Sequence, residues 1–238
     1  MNPALVPAAI VGGTALSYLI GFALGVPWLL PLLNVLPAYP FMVVSLKRGR
    51  LGEAVWRMLV WAAALAVCAT LISYFDTAAA GRMFIRGESY RREMFEFVAT
   101  GAGAEGDIRQ FLPQHALHAV AFCVLALATA SALAMPLGAV LMNYMAYYVG
   151  ALAAAGAHPW EILVLAWVPW AVIRIASFVT LGVVLAGPLL GRTTGLPDRL
   201  GDRRAWLAAA AAGLALDVLL KWALAPSWRL MLLKAAGW

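Results

Sequence analysis

Residues 110–160 read QFLPQHALHAVAFCVLALATASALAMPLGAVLMNYMAYYVGALAAAGAHPW, without a single Asp, Glu, Lys or Arg. A bilayer core takes about 20 apolar residues per helix, so this run is long enough to cross twice. The stretch from Met1 to Leu46 is equally free of charge. Neither run alternates in polarity, as the roughly 10-residue strands of a membrane barrel must. Composition agrees: 64% of the 238 residues are hydrophobic and 12% are charged, with a mean hydropathy of +0.87, where a soluble domain carries about 25% charged residues. The sequence specifies an all-α membrane protein, a polytopic bundle of six to seven transmembrane helices with one short interfacial amphipathic helix. Residues 1–238 form one integral membrane domain.

Helix breakers and charges place the spans. Span one runs from Ala4 to Leu24 and span two from Val26 to Leu46, with Gly25-Val26-Pro27 between them. Pro31, Pro37 and Pro40 make span two a broken helix or a re-entrant hairpin, so the first 46 residues cross once or twice. Span three covers 55–75, span four 113–135, span five 136–156, span six 159–187 with a kink at Pro169, and span seven 205–225. Basic residues in short loops face the cytoplasm. Lys47, Arg48, Arg50 and Arg57 flank one such loop, and Arg192, Arg199, Arg203 and Arg204 fill another. Both loops, 47–57 and 188–204, and the N-terminus are therefore expected in the cytoplasm of a multi-pass inner (plasma) membrane protein. The N-terminus has no basic n-region and reads as a retained helix.

The formal charge of +6 suits anionic lipid headgroups at those loops and calls for no nucleic acid. Cys68 and Cys123 fall within spans and read as small apolar residues. Their spacing is not that of a metal site. The expected partners are the lipid bilayer and further membrane subunits or a second copy of the chain.

The extramembrane segment 76–112 is the one polar region. Between Ser89 and Thr100, Tyr90, Met94, Phe97 and Val98 recur at helical spacing. This predicts an interfacial helix over about 89–100, capped by Ser89 and closed by Gly101, with Arg92 and Glu96 spaced to pair. It would pack as a lid on the bundle or gate a cavity. Gly101-Ala-Gly103-Ala-Glu-Gly106 matches GxGxxG, but no strand precedes it and no parallel sheet exists for it to join. Nucleotide binding is not expected.

Two groups of residues carry possible chemistry. His115 and His118 lie one turn apart at the start of span four, and His158 and Glu161 lie at the start of span six. One span separates the two sets, so parity puts them on the same membrane face. His115, His118, His158 and Glu161 form a candidate metal or proton site, three imidazoles and a carboxylate suiting zinc or another divalent ion. No HExxH and no Gly-x-Ser-x-Gly occurs. The second group is Arg174, Asp217 and Lys221, charges inside apolar spans, where each costs at least about 2.5–3.5 kcal/mol. Arg174 lies 13 residues before Gly187 and Asp217 12 residues after Ala205. At about 1.5 Å per residue the two sit at similar depth, poised to pair across spans six and seven. Asp217 and Lys221, spaced i, i+4, offer a competing local pair.

Asn34, Asn143 and the Tyr144/Tyr147/Tyr148 face add weaker polar positions, and Gly21-x-x-x-Gly25 permits close helix approach. Intramembrane charges with no nucleophile motif favour a transporter or permease-type subunit of a membrane complex, with a non-enzymatic role. A membrane-embedded metal-dependent enzyme using the His/Glu group is the alternative, and a structural or assembly subunit without ligand is the second. No cofactor is expected under the first reading; a divalent metal belongs to the enzyme reading.

Overall fold

A computed structural model describes residues 5–194 and 200–238. Its helices are α1 (Leu5–Leu24), α2 (Leu30–Val35), α3 (Tyr39–Lys47), α4 (Leu51–Phe75), α5 (Thr77–Met83), α6 (Gly87–Thr100), α7 (Ile108–Thr129), α8 (Ala134–Ala155), α9 (Pro159–Leu165), α10 (Pro169–Thr194) and α11 (Leu200–Ala236). No strand occurs among the described residues. Helices α1, α4, α7, α8, α10 and α11 are long and apolar enough to cross a membrane. The protein is an all-α polytopic bundle.

The broken second span returns along the first. Leu30 lies against Gly21, Asn34 Nδ2 donates to Ser17 Oγ at 2.8 Å, and Pro37 meets Gly13. Helices α1 and α4 run parallel, for Tyr18 Oη donates to Leu65 O at 3.4 Å and Phe22, further along α1, meets Phe84 beyond the far end of α4. The chain must therefore recross between them, and α2 with α3 is that return. Pro31 and Pro40 stand in the first turns of these helices, where a missing N–H costs nothing. At the break, Trp61 Nε1 donates to Asn34 O at 2.7 Å, satisfying a carbonyl that hydrocarbon would leave unpaired. Among the described residues the bundle thus has six long helices and one broken return, α2 with α3.

Two ends of the bundle follow from this connectivity. Tyr39 Oη donates to Ala130 O between α7 and α8, so that loop shares an end with the α3–α4 turn, which carries Arg48 and Arg50. We call this the basic end. At the other end lie residues 76–107 and the C-terminus, where His158 N donates to Ala235 O. Helices α7 and α10 start at that second end and run parallel, with Phe178 of α10 edge-on to His115 and Phe122. The loop between α10 and α11, residues 195–199 with Arg199, lies outside the described residues.

Close approach sets the central packing. A side chain at Gly150 of α8 would lie 2.5 Å from Thr70 O and 2.8 Å from Tyr74 N, so glycine lets α8 lie directly on α4. Buried Met58, Trp61, Leu65, Ala139 and Tyr147 fill the space along these two helices.

Several boundaries differ from the sequence expectation. Pro169 does not kink a single span six: it opens α10 after a break at 166–168, because the residue before a proline is pushed out of helical geometry. Span seven continues through Pro226 to Ala236, its last turns anchored by buried Leu232, Ala235 and Ala236. Helix α6 starts two residues earlier than expected. Arg86, in left-handed geometry at φ 61°, occupies its N-cap, and Ser89 Oγ donates to Arg86 O from inside the first turn. Gly101 closes the helix at φ 83° as expected. Arg92 donates to Glu88 O, whereas Arg91 pairs with Glu88 at 2.8 Å. Met94, Phe97 and Val98 are buried against Tyr148, Val149 and Leu152 of α8, making α6 a lid.

Candidate functional site

Helices α10 and α11 pack antiparallel in one register: Gly187 beside Arg203, Ser177 beside Gly213, Arg174 beside Asp217. Arg174 Nε lies 3.5 Å from Asp217 Oδ2, and His115 Nε2, from α7, lies 3.7 Å from the same oxygen. Asp217 is fully buried, and neither of its carboxylate oxygens accepts a hydrogen bond among the described residues. Two cation-capable groups face it, yet its lone pairs are unsatisfied, a costly arrangement in a low dielectric.

Lys221 does not pair with Asp217. One turn further along α11, its Nζ lies 2.7 Å from Oε2 of Glu105, a residue of the glycine-rich loop. Glu105 Oε1 also accepts from Trp170 Nε1 at 2.8 Å. Burial opposes ionisation of Glu105, but Lys221 and Arg174 outweigh it with the help of the Trp170 hydrogen bond. Its carboxyl is held below the ordinary 4.5. The loop that mimics a dinucleotide fingerprint thus serves to carry a carboxylate into the bundle.

Phe111 lies against the cations of both ion pairs. Lys221 Nζ stands 3.3 Å from the centre of its ring and the Arg174 guanidinium 5.4 Å from it. His115 stacks on the ring at 5.0 Å. A cation near the face of an aromatic ring is attracted by the ring's negative face. Phe111 and Glu105 carry no mark in the sequence. A phenylalanine in an apolar span and a glutamate in a loop carry no signal until the fold brings them to Arg174 and Lys221.

Arg174 also borders a cavity of about 300 Å³. Its mouth is polar, with Arg86, Ser89 and Glu93 of α6, Gln114 and His118 of α7, and Tyr144 of α8. Its interior is apolar, bordered by Trp61, Phe122, Met142 and Val179 and reaching Met135, in the first turn of α8 at the basic end. Leu117 of α7 borders the cavity and is 68% exposed on the outer surface of the bundle. The cavity therefore opens at the bundle surface between α6 and α7.

The four histidine-group residues are divided. His115 and His118 wall the cavity, whereas His158 and Glu161 lie exposed at the start of α9. No group of three or more His, Cys, Asp or Glu side chains gathers as a metal site among the described residues. Cys68 and Cys123 are free thiols.

A second polar network lies deeper in the bundle. Tyr18 Oη donates to Asn143 Oδ1 at 2.5 Å, and Asn143 Nδ2 donates to Asn34 Oδ1 at 3.0 Å. With Ser17 and Trp61 it ties α1, α2, α4 and α8 together, and of its members Trp61 borders the cavity. At the lid, Tyr147 Oη donates to Glu88 Oε1. That bond, with the help of Arg91, holds the Glu88 carboxyl below its ordinary value.

The chain matches no protein-family model, no curated protein and no solved structure. Its function must be argued from the site itself.

Proposed function

We propose that this integral membrane protein is a transporter or permease-type subunit that passes a solute through the cavity beside Arg174. One observation carries the reading. A single cavity runs from a charged mouth under α6 past Trp61 to Met135, buried in the first turn of α8. A passage needs this reach, and a structural ion pair does not. Arg174 supplies a cation at the cavity wall, and its position is fixed by Asp217 and Phe111 behind it. The unsatisfied Asp217 carboxylate supports the same reading, since intramembrane charges mark solute or proton paths. The metal-enzyme alternative lacks support because His158 and Glu161 stand apart from His115 and His118. On the positive-inside rule the basic end faces the cytoplasm, so the mouth faces out.

The test is two-sided accessibility. Cys68 and Cys123 are replaced by serine, and Met135→Cys is introduced at the cavity floor. A membrane-impermeant thiol reagent is then applied from each side in turn. Transport predicts labelling from both sides. Labelling from the mouth side alone would make the cavity a one-sided pocket.

A further inference from the structure

The charges around the cavity divide into those answered within the protein and those left for a ligand. Arg174 has Asp217 and Glu105 has Lys221. Arg86 and Glu93, two turns apart on α6 and both at the mouth, have no ion-pair partner among the described residues. The mouth therefore presents one free positive and one free negative charge. Ser89, Gln114 and His118 beside them add hydrogen-bonding groups. Below this layer the walls become apolar, with Trp61, Met142 and Val179, and at the mouth itself Leu117 of the apolar helix α7 is exposed beside Gln114 and His118.

A small polar solute has no use for that apolar floor. From this we infer that the cavity takes a membrane amphiphile whose headgroup bears both a phosphate and an ammonium, with Arg86 facing the phosphate, Glu93 the ammonium, and a hydrocarbon chain lying over Trp61. This deepens the cavity reading above, because it names the class of solute. The assignment rests on charge complementarity at the mouth together with apolar depth. A headgroup of single negative charge would leave Glu93 facing an anion, and like-charge juxtaposition is penalised at interfaces.

Trp61 provides the probe. Its side chain is 2% exposed, sealed from surrounding lipid, yet it borders the cavity. Bromine atoms on an acyl chain quench indole emission only in contact, so quenching of Trp61 reports a chain inside. The protein is reconstituted with dibrominated phosphatidylethanolamine or dibrominated phosphatidylglycerol of identical chains. The Trp61 contribution is the difference from Trp61→Phe. The proposal expects the ethanolamine lipid to quench Trp61 about threefold more effectively, the scale of one exposed ion pair, and Glu93→Gln to abolish that preference. Absence of Trp61 quenching by either lipid, or equal quenching by both, would overturn it. Since Trp61→Phe removes the hydrogen bond to Asn34 O, a second measurement uses the wild-type fold. Lipid retained by the protein after purification from an equimolar mixture is identified by native mass spectrometry, alone and with Glu93→Arg. Enrichment of the ethanolamine lipid that reverses in Glu93→Arg supports the inference; retention without preference contradicts it. Two-sided labelling of Met135→Cys with no lipid in the cavity would sink this inference and leave the transport reading standing.

Discussion

Arg174 Nε and Asp217 Oδ2 lie 3.5 Å apart, on helices whose antiparallel register brings together two residues 43 positions apart in the chain, within a layer that also holds His115. Neither charge is tolerable there alone. Removing one partner of a buried pair strands the other, at a cost of about 3–5 kcal/mol, whereas replacing both with apolar residues of similar volume is often neutral. Arg174→Gln should therefore lower unfolding stability in detergent by that order. The double substitution Arg174→Met with Asp217→Leu should recover most of the loss. Equal costs for the single and double variants would show that the two side chains do not interact.

The second pair makes a prediction about pH. Folded Glu105 ionises below its ordinary 4.5 because Lys221 and Arg174 outweigh burial. A depressed carboxylate contributes stability that is fully present above the unfolded value and is lost as pH falls through the folded one. Acidification below 4.5 should therefore destabilise the wild type. In Lys221→Met the main counter-charge is gone and burial dominates, so the dependence should reverse and stability should fall as pH rises through that region. Acid unfolding curves of both proteins, followed by tryptophan emission, measure the slopes.

Asn143 bridges Tyr18 and Asn34 inside the bundle. Asn143→Leu leaves both partners buried without that bond, a loss of about 1–3 kcal/mol. Asn143, Tyr18 and Asn34 do not border the cavity, so the variant should lose stability while lipid retention and labelling of Met135→Cys persist. A variant that kept full stability would show that the network contributes nothing net, as double-mutant cycles find for some intramembrane hydrogen bonds at about 0.6 kcal/mol.

The bundle was legible because charge-free runs longer than a membrane crossing admit one structure. The depth match between Arg174 and Asp217 was legible too, since residue counts along a helix convert directly to distance. What stayed hidden depends on contacts distant in sequence. Lys221 and Asp217 stand at ideal spacing on one helix, yet Lys221 turns to Glu105, whose place in the bundle is set by the loop between α6 and α7. The end of α11 was misjudged for a related reason. A proline costs a helix one hydrogen bond, but packing of Leu232 and Ala235 beyond Pro226 offsets it. His158 shares an end of the bundle with His115, as parity requires, but parity fixes a side of the membrane and says nothing of lateral distance.

In the proposed transport reading the cavity under α6 is a passage whose mouth lies between α6 and α7. The most direct measurement locks that mouth. Ser89→Cys and Gln114→Cys, which border it from α6 and α7, are joined by a bifunctional thiol reagent in a background lacking Cys68 and Cys123. Met135 is replaced in the same chain by an unnatural residue bearing a separately reactive azide. With the mouth joined, labelling at position 135 should fall sharply from the lid side and persist from the basic end. If labelling from the lid side continued unchanged, or if the basic end never gave access in either state, the cavity would not be the passage described.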